Sequence, residues 1–151
     1  MDEILYEDDT FMLLPDTKWA HPRTSDTLYC LAICHDRSIR SVRDLRAHHR
    51  SLLENIRDAG LACLAQKFQV AASQLRIFVH YQPSYYHFHV HFVHTSQNSG
   101  TNAVGKAILL ETILYNLNRD GDYYHHATLP YLIGQDHGLA KNIGAVSHRM
   151  E

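Results

Sequence analysis

Three histidines, His87, His89 and His91, stand at every second position in Pro83-Ser84-Tyr85-Tyr86-His87-Phe88-His89-Val90-His91-Phe92-Val93-His94, separated by large apolar residues. In an extended strand successive side chains point to opposite faces, so the three imidazoles share one face while Phe88, Val90 and Phe92 share the other. Three chemistries suit such a row. A half-exposed polar sheet face satisfies the alternation alone, although histidine is an uneconomical residue for mere solvation. Neutral imidazoles on strands also bind zinc, but three consecutive same-face positions span about 13 Å at roughly 3.3 Å per residue, too far to converge easily on one ion. In the third reading the central imidazole attacks phosphorus while its neighbours orient it and handle protons. A phosphate substrate then requires cations and hydroxyls around it. Ser84 just before the strand, and Lys18 and Lys106 elsewhere, are candidates. Spacing alone does not choose among the three.

The elements that must carry these residues are legible as patterns. Phe11 to Leu14, ended by Pro15, and Leu28 to Cys34 are short apolar runs suited to strands. Ser41, with Asp44 three residues on, opens a periodic stretch through Val42, Leu45, Leu52, Leu53, Ile56, Cys63, Leu64 and Phe68. This predicts one long amphipathic helix, bent near Gly60. Leu75, Ile77, Val79 and Tyr81 alternate with Arg76, Phe78 and His80, which predicts a strand joined to the histidine strand by a tight connection at Gln82-Pro83-Ser84. After the polar loop TSQNSGTN, residues from Val104 to Leu117 return to helical period and stop near Asn118 to Gly121. Thr128 to Ile133 reads as a short strand, and Gly138 to Ile143 as a weaker helix.

The whole fits one α+β domain over residues 1–151: 17.4 kDa and 45% hydrophobic residues are ample for a core without staples. A net charge of −2 gives no general attraction to long polyanions. The 13 histidines nearly equal the 14 lysines and arginines, so histidine is the unusual ingredient. Cys30, Cys34 and Cys63 are odd in number and form no CxxC pair, which argues against a disulfide framework or thiolate zinc site and for a reducing compartment. The acidic start MDEILYEDD has no basic n-region, and no 18 apolar residues run together, so nothing marks the chain for secretion or a membrane.

The pattern His87-Phe88-His89-Val90-His91-Phe92-Val93 resembles the histidine-triad superfamily, with Ser84 where that superfamily often carries a serine. Within it the chain resembles the C-terminal domain of the scavenger mRNA-decapping enzymes. The similarity rests on Leu14-Pro15-Asp16-Thr17-Lys18-Trp19, Leu28 to Asp44 with Ile39-Arg40-Ser41-Val42-Arg43-Asp44-Leu45, Val79 through Phe92 and Val104-Gly105-Lys106-Ala107. It runs from about Phe11 to about Ile133. The PSYYH stretch separates this group from ordinary histidine-triad proteins.

The resemblance implies a histidine-triad fold, an antiparallel sheet with two main helices forming a homodimer in the cytoplasm and also the nucleus. It implies a hydrolase that needs no metal or other cofactor. Its substrates are 7-methylguanosine-capped mononucleotides or short capped RNA, cleaved in the triphosphate bridge through a phosphohistidine to release 7-methyl-GMP. By position His89 is the nucleophile, His91 contacts phosphates and leaving group, and His87 orients His89. Asp16 falls where the family hydrogen-bonds the guanine, and Lys18, His80 and Ser84 where it holds phosphates. Lys106 stands where the family more often has arginine, keeping the charge without the bidentate fork. Read as a helix start, its position would also suit a phosphate ligand. Trp19 matches a family tryptophan and is expected to pack.

The sequence from Met1 is expected to lack the family's N-terminal swapped domain, whose aromatic stacks on the cationic base. That widens the alternatives to a general nucleotide hydrolase of the superfamily (nucleoside phosphoramidase or dinucleoside polyphosphate hydrolase) and to a non-catalytic cap- or nucleotide-binding module. His35, His48, His49, His125, His126 and His148 lie outside the motif and read as surface or locally bonded groups, and His94, out of phase, as structural.

Overall fold

The computed structural model describes residues 3–98, 100–134, 137, 138 and 140. Six strands form one antiparallel sheet in the order β1-β2-β3-β5-β4-β6: β1 Tyr6–Glu7, β2 Phe11–Pro15, β3 Tyr29–Cys34, β4 Leu75–His80, β5 His89–His94 and β6 Ala107–Leu109. Accompanying it are the helices α1 Arg50–Phe68, α2 Leu110–Arg119 and the single turn α3 Tyr123–His126. The expected α+β layout with two main helices is what is observed.

β5 is central, flanked by β3 and β4, and its register fixes what each face carries. Leu31 and Phe78 pair with His91, and Ile33 with His89, so those side chains stand beside the histidines. Val90 and Phe92 face the other way and are fully buried in the core with Cys30, Ala32, Phe11 and Leu13. Helix α1 closes over that core through Leu53, Ile56, Gly60, Cys63 and Leu64. Gly60 is needed there because a Cβ on it would lie 2.5 Å from Phe92 Cζ. Helix α2 buries Leu110, Ile113, Leu114 and Leu117, a clean i, i+3, i+4, i+7 stripe. Trp19 packs edge-on against Phe68 with ring centroids 5.0 Å apart and donates its indole N–H to Thr24 O and Thr27 Oγ1.

Several expectations are corrected. Ser41 does cap a helical turn, accepting from Arg43 N, but Leu45 turns extended, and α1 begins only at Arg50 after two short 3₁₀ turns. The link between β4 and β5 is the longer loop 81–88, and β5 starts at His89, so His87 precedes the strand. Phe88 explains this, because its N–H donates to Ile39 O and its carbonyl accepts from Cys34 N, an irregular pairing outside the ladder.

Residues 107–109 form β6, and α2 starts at Leu110, so Lys106 lies at a strand rather than a helix N-terminus. Thr128 to Ile133 is extended but not a strand. Pro130 interrupts it, and one bond, Leu132 N to Gly105 O, docks it. The helix expected from Gly138 to Ile143 falls, but for Gly138 and Ala140, outside the described residues, as does His148. No helix among the described residues is long and apolar enough to cross a membrane.

Candidate active site

The three histidines spend one ring nitrogen each on a protein oxygen, and those bonds define their protonation. His87 Nε2 lies 2.6 Å from Cys34 O, and a carbonyl only accepts, so that nitrogen carries the proton. His89 Nδ1 donates in the same way to His87 O at 2.8 Å. In the neutral ring the lone pair of His89 is therefore on Nε2, which is what a nucleophilic imidazole requires. His87 acts on His89 through its main-chain carbonyl, while its own ring holds the loop to β3. His91 Nδ1 pairs with the Tyr29 hydroxyl at 3.0 Å.

His91 is the most enclosed of the three. Its ring stacks on Phe78 at 5.0 Å with planes only 4° apart, lies 4.2 Å from the His80 ring and meets the His89 ring edge-on at 5.0 Å. Burial drives its pKa far below the ordinary imidazole value, aided by His80, His89, Lys18 and Lys106. It is neutral. Its Nε2 is buried without a hydrogen-bond partner.

The named lysines reach this centre from opposite sides. Lys18 Nζ lies 5.1 Å over the Tyr29 ring on the β2–β3 side. Lys106 comes from the β4–β6 side, where its carbonyl accepts from Tyr81 N. Both are close enough to disfavour a charge on His91. His80, 5% exposed, completes the group.

Ser84 is exposed on the loop and lines a cavity of about 420 Å³ with Lys106, Tyr81, Gln82 and Tyr86. A second cavity of about 260 Å³ lies between His87, His89, Tyr85, Leu31 and Ile33. The nucleophile candidate thus lines the second, apolar cavity, while Ser84 and Lys106 line the first. Asp16 is buried just past the end of β2. Its Oδ1 accepts from Lys18 N at 2.7 Å, so it shapes the turn that presents Lys18. Among the described residues, no cluster of three or more His, Cys, Asp and Glu is placed to hold a metal ion.

Two residues near the site lie in stretches that carry the resemblance, which assigns them no role. Tyr29 is hidden in an apolar run, although strand parity with Leu31 puts it on the histidine face. Arg43, inside IRSVRDL, donates to the Tyr81 hydroxyl at 3.1 Å and to Tyr124 O and Ala127 O, and stacks over the Tyr81 ring at 5.0 Å. It ties the loop after β4 to α3.

Residues 1–106 match the family model described as the scavenger mRNA decapping enzyme C-terminal binding region. The chain is similar to m7GpppX diphosphatases, at 42% identity to the Bos taurus enzyme over 91% of this chain and 42% of that protein. The Schizosaccharomyces pombe enzyme is also 42% identical, over 85% of this chain and 42% of that protein. The chain spans less than half the length of these relatives. Among solved structures it resembles a HIT family hydrolase from Clostridium thermocellum, with a TM-score of 0.51 at 18% identity over 69% of this chain and 85% of that one. The aprataxin ortholog Hnt3 from Schizosaccharomyces pombe gives 0.50 at 20% identity, over 76% and 66%. These two likenesses concern the fold.

Proposed function

Because the chain belongs to the scavenger mRNA-decapping enzyme family, we propose that it hydrolyses the triphosphate bridge of 7-methylguanosine-capped mononucleotides or short capped RNA. The observation that carries this reading is His89, its Nδ1–H spent on the His87 carbonyl and its Nε2 left for a substrate, next to a His91 whose charge two nearby lysines disfavour. His89 Nε2 attacks the phosphorus next to the methylguanosine. An N–P bond forms, the bridging P–O bond breaks, and the nucleoside diphosphate or shortened oligonucleotide leaves with the electron pair. Water then attacks the phosphohistidine, releasing 7-methyl-GMP and restoring neutral His89. Lys18 and Lys106 offset the charge on non-bridging oxygens, with Ser84, His80 and His91 as further phosphate contacts. Asp16 hydrogen-bonds the guanine, provided that its turn opens a carboxylate oxygen.

In this reading the protein works as a homodimer in the cytoplasm and nucleus. The exposed Leu109 on edge strand β6 and exposed Tyr115 on α2 favour a second copy, and three free buried thiols suit a reducing compartment. The test is incubation with methylated cap dinucleotide and, separately, diadenosine polyphosphates. We expect turnover of the cap, abolished in His89→Asn. Cleavage of diadenosine polyphosphate alone, or cap turnover that survives His89→Asn, would refute it.

A further inference from the structure

The Tyr29 hydroxyl is 3.0 Å from His91 Nδ1, and both residues are almost wholly buried, at 2% and 3% exposure. The proton in that bond lies on one partner or the other. A phenol is a good donor and a poor acceptor, whereas the unprotonated nitrogen of a neutral imidazole is a strong acceptor. The favoured arrangement is therefore O–H to Nδ1, and a neutral ring whose Nδ1 accepts must carry its proton on Nε2. That Nε2 is the buried ring nitrogen left without a protein partner. A buried N–H with no acceptor is destabilising, and the cost is relieved when a substrate oxygen arrives. The opposite tautomer would aim a lone pair at an anionic phosphate and repel it.

We propose that Tyr29 is a positioning residue of the triad, donating to His91 Nδ1 so that His91 presents Nε2–H as a ready donor to a substrate phosphate oxygen. The two neighbouring histidines then have complementary tautomers set by different oxygens. His89 is held Nδ1–H by a carbonyl, with a lone pair outward to attack. His91 is held Nε2–H by a hydroxyl, with a buried, unpartnered proton to give or share once a substrate oxygen reaches it. The β3–β5 register, in which Tyr29 pairs with Val93, brings the hydroxyl within reach. Lys18 Nζ lies 5.1 Å over the ring of the same tyrosine.

The inference rests on His89 as nucleophile for its catalytic meaning, but the tautomer can be read without any substrate. In the ¹⁵N-labelled wild-type protein, long-range ¹H–¹⁵N correlation distinguishes protonated from unprotonated ring nitrogens, with the His91 signals assigned by their loss in His91→Asn. We expect Nε2 protonated and Nδ1 unprotonated; the reverse would overturn the proposal whatever the activity. Tyr29→Phe removes only the hydroxyl. We expect it to lower kcat for methylated cap dinucleotide roughly 10- to 100-fold, as for loss of a positioned proton donor, with KM changed less than about 3-fold. We also expect the His91 signals to shift toward the Nδ1–H form. Unchanged kcat and unchanged His91 signals in Tyr29→Phe would sink the assignment while leaving His89 untouched. The expected tautomer in a protein that does not cleave the cap would support the Tyr29 bond and reject the decapping reading instead.

Discussion

Gly60→Ala places two opposing effects on one position and predicts which one prevails. Alanine is favoured over glycine inside a helix by roughly 1 kcal/mol, so on an open helix face the change would stabilise. At Gly60 the new methyl would lie 2.5 Å from Phe92 Cζ and 2.9 Å from Cε1, well inside contact distance. Phe92 is fully buried in the central strand, so its ring has no solvent into which to swing. Overpacking of this kind costs roughly 1–3 kcal/mol, and so close a contact belongs at the upper end. The net expectation is a loss of about 1–2 kcal/mol, or a Tm fall of roughly 2–8 °C for a chain of this size. Circular dichroism melts and urea titrations would measure it. The decisive arm is the double-mutant cycle: Phe92→Leu shortens the side chain, and in that background Gly60→Ala is expected to stabilise by up to about 1 kcal/mol. Gly60→Ala that is neutral or stabilising with Phe92 intact, or equally destabilising in the Phe92→Leu background, would refute the claim that close approach of α1 to β5 is what requires glycine.

The remaining expectations concern charge. Replacing Lys106 by Met should lower kcat/KM for capped dinucleotide roughly 10- to 100-fold, the worth of one charge-assisted hydrogen bond, while Lys106→Arg should retain most activity; steady-state kinetics decides. Burial keeps His91 unprotonated in the folded state, whereas the unfolded chain takes up a proton near the ordinary pKa of about 6.5. Stability should therefore fall as pH falls below about 6.5, by about 1.4 kcal/mol per unit from this residue, and the slope should shrink by that amount in His91→Asn when both are unfolded in urea from pH 7 to 5. Arg43→Ala should cost about 2–4 kcal/mol, because three acceptors lose a charged donor, with Arg43→Lys recovering only part; chemical denaturation is the check.

The parts legible in the sequence are those where local pattern and burial agree. Phe11 to Leu14, the LYCLAIC run and the Leu75 alternation are strands because one face of each has to be buried, and the stripe of α2 is visible for the same reason. What is not legible depends on partners distant in sequence. His87 belongs to the alternation of HFHVH, yet Cys34 and Ile39 capture its neighbour Phe88 and end the ladder at His89. Lys106 reads as a helix start because Ala107-Ile108-Leu109 is apolar in either state, and only pairing with Phe78, Val79 and His80 makes it a strand. Of the candidate site, the His80 and His89 rings lie against His91, and Lys18 and Lys106 are near enough to disfavour its charge. Asp16 is turned into its own loop, and Tyr29 escapes notice because a tyrosine in an apolar run is indistinguishable from core.

The placing of β5 between β3 and β4 has a consequence for how the molecule comes into being. Tyr29 and His91 are 62 residues apart in the chain, with the whole of α1 between them. The hairpin of β4 and β5 is comparatively local, whereas β3 must close a long loop before it can dock, at an entropic cost recovered only once the strand is in register. Helix α1 and the β4–β5 pair are thus expected to form first, with the histidine face open on one side until β3 docks. A slip of one residue at that step would turn Tyr29 to the opposite face and leave His91 without its hydroxyl. Refolding followed by tyrosine fluorescence and by recovery of turnover should show the chemistry returning with the slowest phase.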